Sequence, residues 1–369
     1  MTNDKKKILY IVEAMGGGVV TYIEALANGL VEDFDFVVAY GKRDQTPEDL
    51  ESHFDKRIKL IEIKHFTRAV NPFKDIPTIF ELKNVIKEEK PDLIHLHSSK
   101  AGALGRLFLK SKKYKMVYTP HGYSFLMQNA KSVMKRAYHF IEKICGRKKC
   151  LTVACGRGEW QESLNVSKFS TYISNGVNTR LINRVLGTDR DEKINRNDKF
   201  KVYTVGRVEF QKNPEMFNEI AELLPNIEFV WIGQGELEKK LTSPNIKVTG
   251  WVDREEVFTT AYDCDVFILP SRWEGLPIAP LEAMYMKKPC IVTDVVGNRD
   301  IIHNGVTGYI CNTAEEFAEI IKQLEIRIDD KVVNTAYESI IEHFNDGWVC
   351  DRYKDLYLEV LEKDIEITK

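Results

Sequence analysis

The hydrophobic positions alternate between two periodicities along the first half of the chain. Continuous apolar runs at 7–14, 35–41 and 92–98 are typical of buried strands, whereas 19–30 carries apolar residues at helical spacing. Alternating strands and helices predict a parallel sheet with helices on both faces. Further strands are predicted at 59–63 and 115–121, and further helices at 74–89 and 101–110.

The same alternation starts again after residue 199, and the polar segment 179–199 marks the join. Two α/β domains are therefore predicted, because 369 residues also exceed the usual size of a single core. A last amphipathic helix is predicted at 347–363, and its pattern does not say which domain it packs on. The second set of strands is predicted at 201–207, 227–235, 246–252, 266–271 and 289–295, and its helices at 213–224, 235–241, 253–262 and 278–287.

The composition is that of a globular protein, with 43% apolar and 29% charged residues. No apolar run approaches the roughly 20 residues that span a bilayer, and the short run after Lys7 indicates a first strand rather than a signal peptide. The seven cysteines form no CxxC pair, and Cys145, Cys150 and Cys155 lack a zinc spacing. We expect reduced thiols and a cytoplasmic location.

The net charge of −2 conceals an asymmetry between the two halves. Residues 1–175 hold 29 Lys and Arg against 20 Asp and Glu, and residues 93–149 hold 13 against Glu142 alone. One interpretation is a solvated basic face. The other is attraction to an anionic partner, such as the inner leaflet of the cell membrane or a lipid phosphate. Nucleic acid is not expected, because no nucleic-acid-binding motif accompanies the charge.

Three segments at predicted strand ends carry candidate chemistry. Gly16, Gly17 and Gly18 lie between a strand and a helix, where glycine permits close backbone approach and free N–H groups attract anions. The segment is not a GxGxxG fingerprint, and a tight turn is the plain alternative. Arg207 and Lys212 place two cations at the next such loop, which suits a diphosphate, although a solvated pair is equally compatible.

The third segment is SRWEGLPIAPLEAM, in which Glu274 and Glu282 stand eight positions apart. Pro277 and Pro280 predict a helix start, with Glu282 in the first helical turn. Carboxylates beside a diphosphate would repel it, so they are interpreted as acceptors for sugar and ribose hydroxyls. Two exposed structural glutamates are the alternative interpretation of this stretch taken alone.

This last stretch resembles the E-x7-E signature of the retaining family-4 glycosyltransferases, which have the GT-B architecture. Arg207 and Lys212 match that family's G-R-x5-K element. The segments MGGGVVTY, TPHGYSF, SNGVN and IGQGELEKKL resemble its glycine loop, histidine motif, interdomain turn and G-x-G-x-L element. The resemblance covers nearly the whole chain and is nearest to bacterial capsule, exopolysaccharide and cell-wall glycan transferases.

The resemblance implies two facing Rossmann-like domains with parallel sheets. The N-terminal acceptor domain would comprise 1–175 plus 347–369, with the last helix crossing back to it, and the C-terminal donor domain would comprise 176–346. It also implies a metal-independent enzyme that uses a nucleotide sugar, expected to be a UDP-sugar, and a glycan or lipid-linked acceptor. Implied catalytic residues are His121, Arg207, Lys212 and Glu274. Implied donor-binding residues are Gly16, Gly17, Gly18, Gly206, Gly233, Gly250, Trp251, Val252, Gly275, Leu276, Pro277 and Glu282.

Some features depart from this pattern. Asp263 and Asp265 form a literal DxD, interpreted as structural rather than metal-binding because they precede a predicted strand. His95 and His97 share one strand face, but no third metal ligand is evident. Gly297 stands where the family has a G-G-x-x-E-like turn, so no donor contact is assigned there. A sugar-nucleotide epimerase, a non-catalytic partner subunit and a nicotinamide dehydrogenase are the alternative functions.

Overall fold

The computed structural model describes residues 5–13, 15–43, 46–67, 71–110, 113–127, 131–187 and 199–363. The chain divides into two compact units, of which the first comprises Met1–Asn175 and Asp346–Lys369 and the second Gly176–Asn345. Most of the predicted join at 179–199 lies outside the described residues, which stop at 187 and resume at 199.

The first unit contains a seven-stranded sheet in which all neighbouring strands are parallel. The spatial order is β3-β2-β1-β4-β5-β6-β7, so the chain reverses its direction of travel across the sheet between β1 and β4. The strands are β1 (Lys6–Val12), β2 (Phe34–Tyr40), β3 (Lys59–Glu62), β4 (Leu93–His97), β5 (Lys115–Thr119), β6 (Leu151–Ala154) and β7 (Ser170–Tyr172).

Helices cover both faces of this first sheet. The helices of the first unit are α1 (Gly18–Gly29), α2 (Pro72–Glu89), α3 (Ser99–Phe108), α4 (Ser132–Cys145), α5 (Arg157–Val166) and α13 (Asp346–Glu362). Helices α1 and α13 pack on one face, where they share a core with β1 and β2. Helices α2 and α3 contribute to the core of the other face. The last helix therefore returns to the first unit, as the family resemblance implied.

The second unit repeats the plan with six parallel strands in the order β10-β9-β8-β11-β12-β13. Its strands are β8 (Lys201–Val205), β9 (Glu228–Ile232), β10 (Ile246–Val248), β11 (Val266–Leu269), β12 (Cys290–Thr293) and β13 (Tyr309–Cys311). Its helices are α6 (Thr179–Leu186), α7 (Pro214–Leu223), α8 (Arg254–Tyr262), α9 (Ile278–Tyr285), α10 (Val296–Arg299), α11 (Ala314–Ile326) and α12 (Asp330–His343). The two parallel sheets confirm the predicted α/β class.

Two predicted elements of the second unit are shorter than expected. The helix predicted at 235–241 is only a 3₁₀ turn at Glu238–Lys240, and the strand predicted at 246–252 ends at Val248. Gly250 explains the second difference, because its φ of 74° turns the chain out of an extended conformation. Among the described helices, none is long and apolar enough to cross a bilayer.

The order of the strands indicates where each sheet is expected to bind ligands. In each sheet the chain changes direction between two neighbouring strands, β1 and β4 in the first and β8 and β11 in the second. Ligands of open α/β sheets bind at the carboxyl ends of the strands beside such a switch point. The segments after β8 and β11 carry Lys212 and Glu274, and the segments after β1 and β5 carry the glycine loop and His121.

Candidate functional site

An ion pair joins the segments after β8 and β11. Lys212 Nζ lies 2.7 Å from Glu274 Oε1, and the two side chains are only 17% and 6% exposed. Lys212 ends a 3₁₀ turn, Phe210–Lys212, and Asn213 follows it with a φ of 56° before α7 begins at Pro214. The structure thus brings together two predicted site residues that are 62 positions apart in the chain.

Several hydrogen bonds fix these two segments against each other. Gln211 Nε2 donates to Trp273 O at 3.0 Å and to Glu274 Oε2 at 3.3 Å. Asn213 Nδ2 donates to Pro270 O at 3.1 Å, and Arg272 Nε donates to Phe210 O at 3.1 Å. Both carboxylate oxygens of Glu274 therefore have a donor, one from Lys212 and one from Gln211.

Three predicted glycines lie side by side at the ends of β8, β9 and β10. A Cβ atom on Gly233 would lie 2.3 Å from Gly206 O, and one on Gly206 would lie 3.1 Å from Lys212 Cε. Gly233 also forms an isolated antiparallel bridge with Gly250. Their φ values of 143°, 138° and 74° lie in the region that favours glycine. The absence of side chains lets the ends of β8 and β9 and the Lys212 side chain pack closely against one another.

Glu282 is buried on α9, where its carboxylate pairs with Arg254 of α8. Burial raises the pKa of Glu282, and the charge and hydrogen bond of Arg254 offset part of that effect. Asp253 caps α8 by accepting from Glu256 N at 2.8 Å, which places Arg254 in the first helical turn. Arg254 also stacks on Phe258, with its guanidinium carbon 4.6 Å from the ring centroid.

The predicted position of Glu282 in the first turn of its helix is wrong. Pro277 is the N-cap residue and α9 begins at Ile278, so Glu282 is the fifth helical residue. Pro280 fits within the first turn because the N–H groups there have no intrahelical acceptor. Leu276 and Pro277 are buried, and Gly275 lies against Gly297, on which a Cβ would approach Gly275 O to 2.1 Å. That close approach explains why position 297 holds a glycine, because a larger side chain would clash with the Gly275 carbonyl.

The other predicted site residues of the second unit include Arg207, Trp251 and Val252. The Arg207 guanidinium pairs with Glu209 at 2.8 Å, and the Arg207 side chain is 44% exposed. Trp251 is 67% exposed, and Val252 is half-buried. Trp251 is therefore not part of a core.

In the first unit, His121 follows β5 with a φ of 53°, a rare value for a residue other than glycine. His121 Nε2 lies 3.1 Å from His97 Nδ1, and His121 Nδ1 lies 3.4 Å from Cys155 Sγ. Tyr22 of α1 meets the imidazole edge-on, with ring centroids 4.8 Å apart. Burial lowers the pKa of His121 to about 3, so this imidazole is neutral at physiological pH.

Glu159 holds the turn that follows His121. It is buried on α5, and its two carboxylate oxygens accept from Gly122 N at 2.6 Å and Cys155 N at 2.7 Å. Burial raises the pKa of Glu159, whereas these backbone donors lower it. Sequence reasoning missed both Glu159 and Arg254. Glu159 bonds Gly122 from 37 positions away and Arg254 bonds Glu282 from 28 positions away, so neither of these pairings leaves a local pattern.

The glycine loop after β1 is open. Gly17 has a φ of 58° and precedes α1, and a Cβ on Gly17 or Gly18 would meet no atom within 4 Å. Gly16 is half-buried, and the carbonyl of Met15 accepts from Thr46 Oγ1 at 2.6 Å. No cap side chain accepts from the backbone N–H groups in the first turn of α1.

Asp265 and His95, which were weighed as metal ligands from the sequence, have hydrogen-bond partners within the protein. Asp265 accepts from Lys201 N at 2.8 Å, and so ties β11 to β8. His95 is fully buried, with Nδ1 2.7 Å from Tyr357 Oη and Nε2 2.9 Å from Thr119 Oγ1. Within the described ranges, no group of three His, Cys, Asp or Glu residues has the arrangement of a metal site.

Comparison with known proteins adds a separate line of evidence. Residues 16–181 match Glycosyltransferase Family 4, and residues 187–331 match Glycosyl transferases group 1. A protein of Escherichia coli named UDP-Gal:alpha-D-GlcNAc-diphosphoundecaprenol alpha-1,3-galactosyltransferase is 32% identical over 341 residues, which are 85% of this chain and 87% of that protein.

Solved structures resemble the chain over nearly its full length. Sucrose-phosphate synthase from Thermosynechococcus elongatus has a TM-score of 0.81 at 17% identity and covers 97% of this chain and 100% of its own. Anabaena HepE, solved in complex with UDP and glucose, has a TM-score of 0.78 at 16% identity, with 96% and 100% covered. At such identities the likeness concerns the fold alone.

Proposed function

The chain belongs to glycosyltransferase family 4, with the GT-B fold, and from that premise we propose its reaction: transfer of a sugar from a UDP-sugar to a hydroxyl of a lipid-linked or growing glycan, with retention of the anomeric configuration. The E. coli relative, by its name, uses UDP-Gal and a diphosphoundecaprenol-linked acceptor. Synthesis of a bacterial surface polysaccharide is the setting that this relative supports.

The observation that carries the proposal is the half-buried Lys212, whose ion pair with Glu274 joins the segments after β8 and β11. An ammonium group has three donors, so Lys212 keeps Glu274 and still offers protons to a phosphate. Arg207 lies on the same segment and is half-exposed, so it exchanges Glu209 for the diphosphate at small cost. Two fixed cations then stabilise the negative charge that develops on the leaving diphosphate.

The carboxylates take the hydroxyl groups of the donor. Glu274, whose orientation Lys212 and Gln211 fix, accepts from the donor sugar. Glu282 accepts from the ribose through Oε2, because Arg254 holds Oε1. The backbone of Gly275, Leu276 and Pro277 contacts sugar and phosphate, and the segment 250–252 lines the base pocket.

We propose that the first unit binds the acceptor. His121 stays neutral, and its Nδ1 exchanges the long contact with Cys155 Sγ for a sugar hydroxyl. Gly17 and Gly18 leave space that suits a phosphate or an acceptor group, and half-buried Gly16 precedes them. The open loop also presents backbone donors at the start of α1.

The reaction needs no protein nucleophile. The bond between the anomeric carbon and the diphosphate oxygen breaks, and the acceptor hydroxyl forms its bond from the same face. The departing phosphate oxygen accepts the hydroxyl proton. The charge at the leaving group is met by Lys212 and Arg207, so we propose a metal-independent enzyme, placed in the cytoplasm at the inner face of the cell membrane.

The test is donor binding and slow hydrolysis across UDP-, GDP-, ADP- and dTDP-sugars in the presence of EDTA, with NMR of the sugar first released. The expected result is one preferred UDP-sugar whose sugar appears initially with its own anomeric configuration. Release of the opposite anomer rules out retention. Turnover of the nucleotide sugar to an epimer without any acceptor replaces the transferase with an epimerase.

A further inference from the structure

We propose that the outward face of α4 is a membrane-docking element that inserts apolar side chains into an anionic bilayer. The face consists of Val133, Ala137, Phe140, Ile141 and Ile144, which recur at helical spacing and are called the α4 stripe below. Val133 is 75% exposed and Phe140 is 64% exposed. A contiguous exposed apolar surface of this kind marks an interaction site in a globular protein.

The packing of α4 does not explain the stripe. The opposite face of the helix already holds it to the first unit, through the buried ion pair of Glu142 with Arg106 at 2.7 Å. Glu142 also accepts from Tyr118 Oη at 2.9 Å, and His139 meets Phe125 with ring centroids 5.2 Å apart. The helix is therefore anchored by one face and presents the other.

The charge around the α4 stripe selects the partner. Cations flank the stripe along residues 131–149, and the only acidic residue of that range, Glu142, is buried in its ion pair. An amphipathic helix with apolar residues on one face and lysines or arginines at its borders is typical of binding at the surface of an anionic bilayer. The exposed cations of this range include Lys131, Arg136, Lys143, Arg147 and Lys148.

Helix α2 provides the contrast. It also exposes phenylalanines, and Phe80 is 63% exposed, nearly the same as Phe140. However, α2 carries acidic residues such as Glu81 and Glu88 beside its lysines, whereas the sequence of 131–149 has a single acidic residue, the buried Glu142. Acidic residues oppose an anionic surface, so we assign insertion to α4 and use α2 as the matched control.

The inference deepens the proposed function, since a lipid-linked acceptor lies in such a surface, but its test does not depend on transfer. Purified protein is mixed with vesicles of phosphatidylcholine, with and without phosphatidylglycerol. Tryptophan is introduced as Phe140→Trp or Phe80→Trp, and brominated acyl chains are used as quenchers. The expected result is new quenching for Phe140→Trp with anionic vesicles and none for Phe80→Trp.

The serine variants measure how much each phenyl ring contributes to vesicle binding. Phe140→Ser is expected to lower the partition coefficient onto anionic vesicles about tenfold, the factor for removing one partly inserted phenyl ring. Phe80→Ser should leave it within about twofold. Hydrolysis of the preferred UDP-sugar without vesicles should be equal for both variants and the parent, because neither residue has a role in the proposed donor binding or chemistry.

Three outcomes overturn the inference. Absent vesicle binding by the parent protein would assign the stripe to a protein partner instead. Equal quenching or equal loss for the Phe80 and Phe140 variants would remove the special role of α4. Binding that vanishes with salt while Phe140→Ser has no effect would leave a purely electrostatic contact. Failure of donor hydrolysis with intact vesicle binding would contradict the proposed reaction and leave the docking element in place.

Discussion

Replacement of Arg254 by alanine should destabilise the second unit by removing the partner of a buried carboxylate. The Glu282 side chain is only 5% exposed, and Arg254 pairs with its Oε1. In Arg254→Ala, Glu282 must either stay ionised without a partner or take up a proton. Both choices cost free energy, because charged groups are strongly disfavoured in a buried environment.

The expected magnitude follows from the exposure of the two side chains. Removing one partner of a fully buried pair costs about 3–5 kcal/mol. Arg254 is 30% exposed, so water already screens part of this interaction, and we expect about 2–3 kcal/mol at neutral pH. The guanidinium also covers the Phe258 ring, and loss of that contact lies within the same range.

The pH dependence identifies the cause. Burial raises the folded-state pKa of Glu282 above its ordinary value of 4.5, so the folded state keeps this proton to higher pH than the unfolded state. Stability is therefore lost as the pH rises from 4.5 through the folded-state pKa. Arg254 counteracts this loss by stabilising the ionised carboxylate. Its removal should raise the folded-state pKa of Glu282 further, so that stability is lost over a wider pH range. The destabilisation by Arg254→Ala should be largest at neutral pH and should shrink as the pH falls toward 4.5.

Urea unfolding, followed by tryptophan fluorescence to which buried Trp231 contributes, measures this difference across pH. The control is Arg184→Ala, which removes an ion pair with Glu255 whose partners are 69% and 63% exposed, and which should change stability by less than about 1 kcal/mol. In a Glu282→Gln background, the Arg254 substitution should cost less. A loss equal to that of the control, or one independent of pH, would refute the reasoning.

Two further predictions concern the reaction. Lys212→Ala should lower kcat by about 10²–10³, which abolishes measurable transfer, because the leaving diphosphate loses a preorganised cation. Glu282→Ala should also abolish measurable transfer. Both variants are tested by donor turnover, with circular dichroism as the control for folding. Full activity in either variant contradicts the site assignment. Removal of divalent metals with EDTA should leave the transfer rate unchanged, and restoration of a lost rate by added metal would return the Asp263–Asp265 segment to consideration.

The elements of the fold were largely predictable, because long apolar runs and helical spacing are local signals. The strands near 7–14, 92–98 and 266–271 and the helix at 347–363 are present within one or two residues of their predicted bounds. Strands β6, β7 and β13, which have three or four residues, were not predicted.

Only the site residues that belong to recognisable motifs could be predicted from the sequence. Lys212 and Glu274 stood out in their segments, but their direct pairing depends on β8 and β11 being neighbours, which the sheet order decides. Arg254 gave no signal, because it lies 28 positions from the carboxylate that it holds. In the sequence, His95 resembles a metal ligand. In the structure its Nδ1 pairs instead with the hydroxyl of Tyr357 on α13, which is 262 positions away.

Gln211 gives the last prediction, because it bonds the carboxylate of Glu274 without being expected to touch the donor. Its amide donates to Glu274 Oε2 and to Trp273 O. Gln211→Ala should leave Glu274 oriented by Lys212 alone, and a loosely held catalytic group costs about tenfold in kcat. The affinity for UDP, which the proposal gives to Lys212 and Arg207, should stay the same. Gln323→Ala is the matched control, since Gln323 bonds Glu319 on the exposed surface of α11.

The two measurements, kcat with the preferred donor and inhibition by UDP, separate positioning from binding. A fall in kcat with unchanged UDP inhibition supports a role for Gln211 in orienting Glu274. An equal weakening of UDP inhibition would instead place Gln211 in contact with the nucleotide. Unchanged kcat would mean that the 2.7 Å bond from Lys212 holds the carboxylate by itself, and that the Gln211 amide serves only the Trp273 carbonyl.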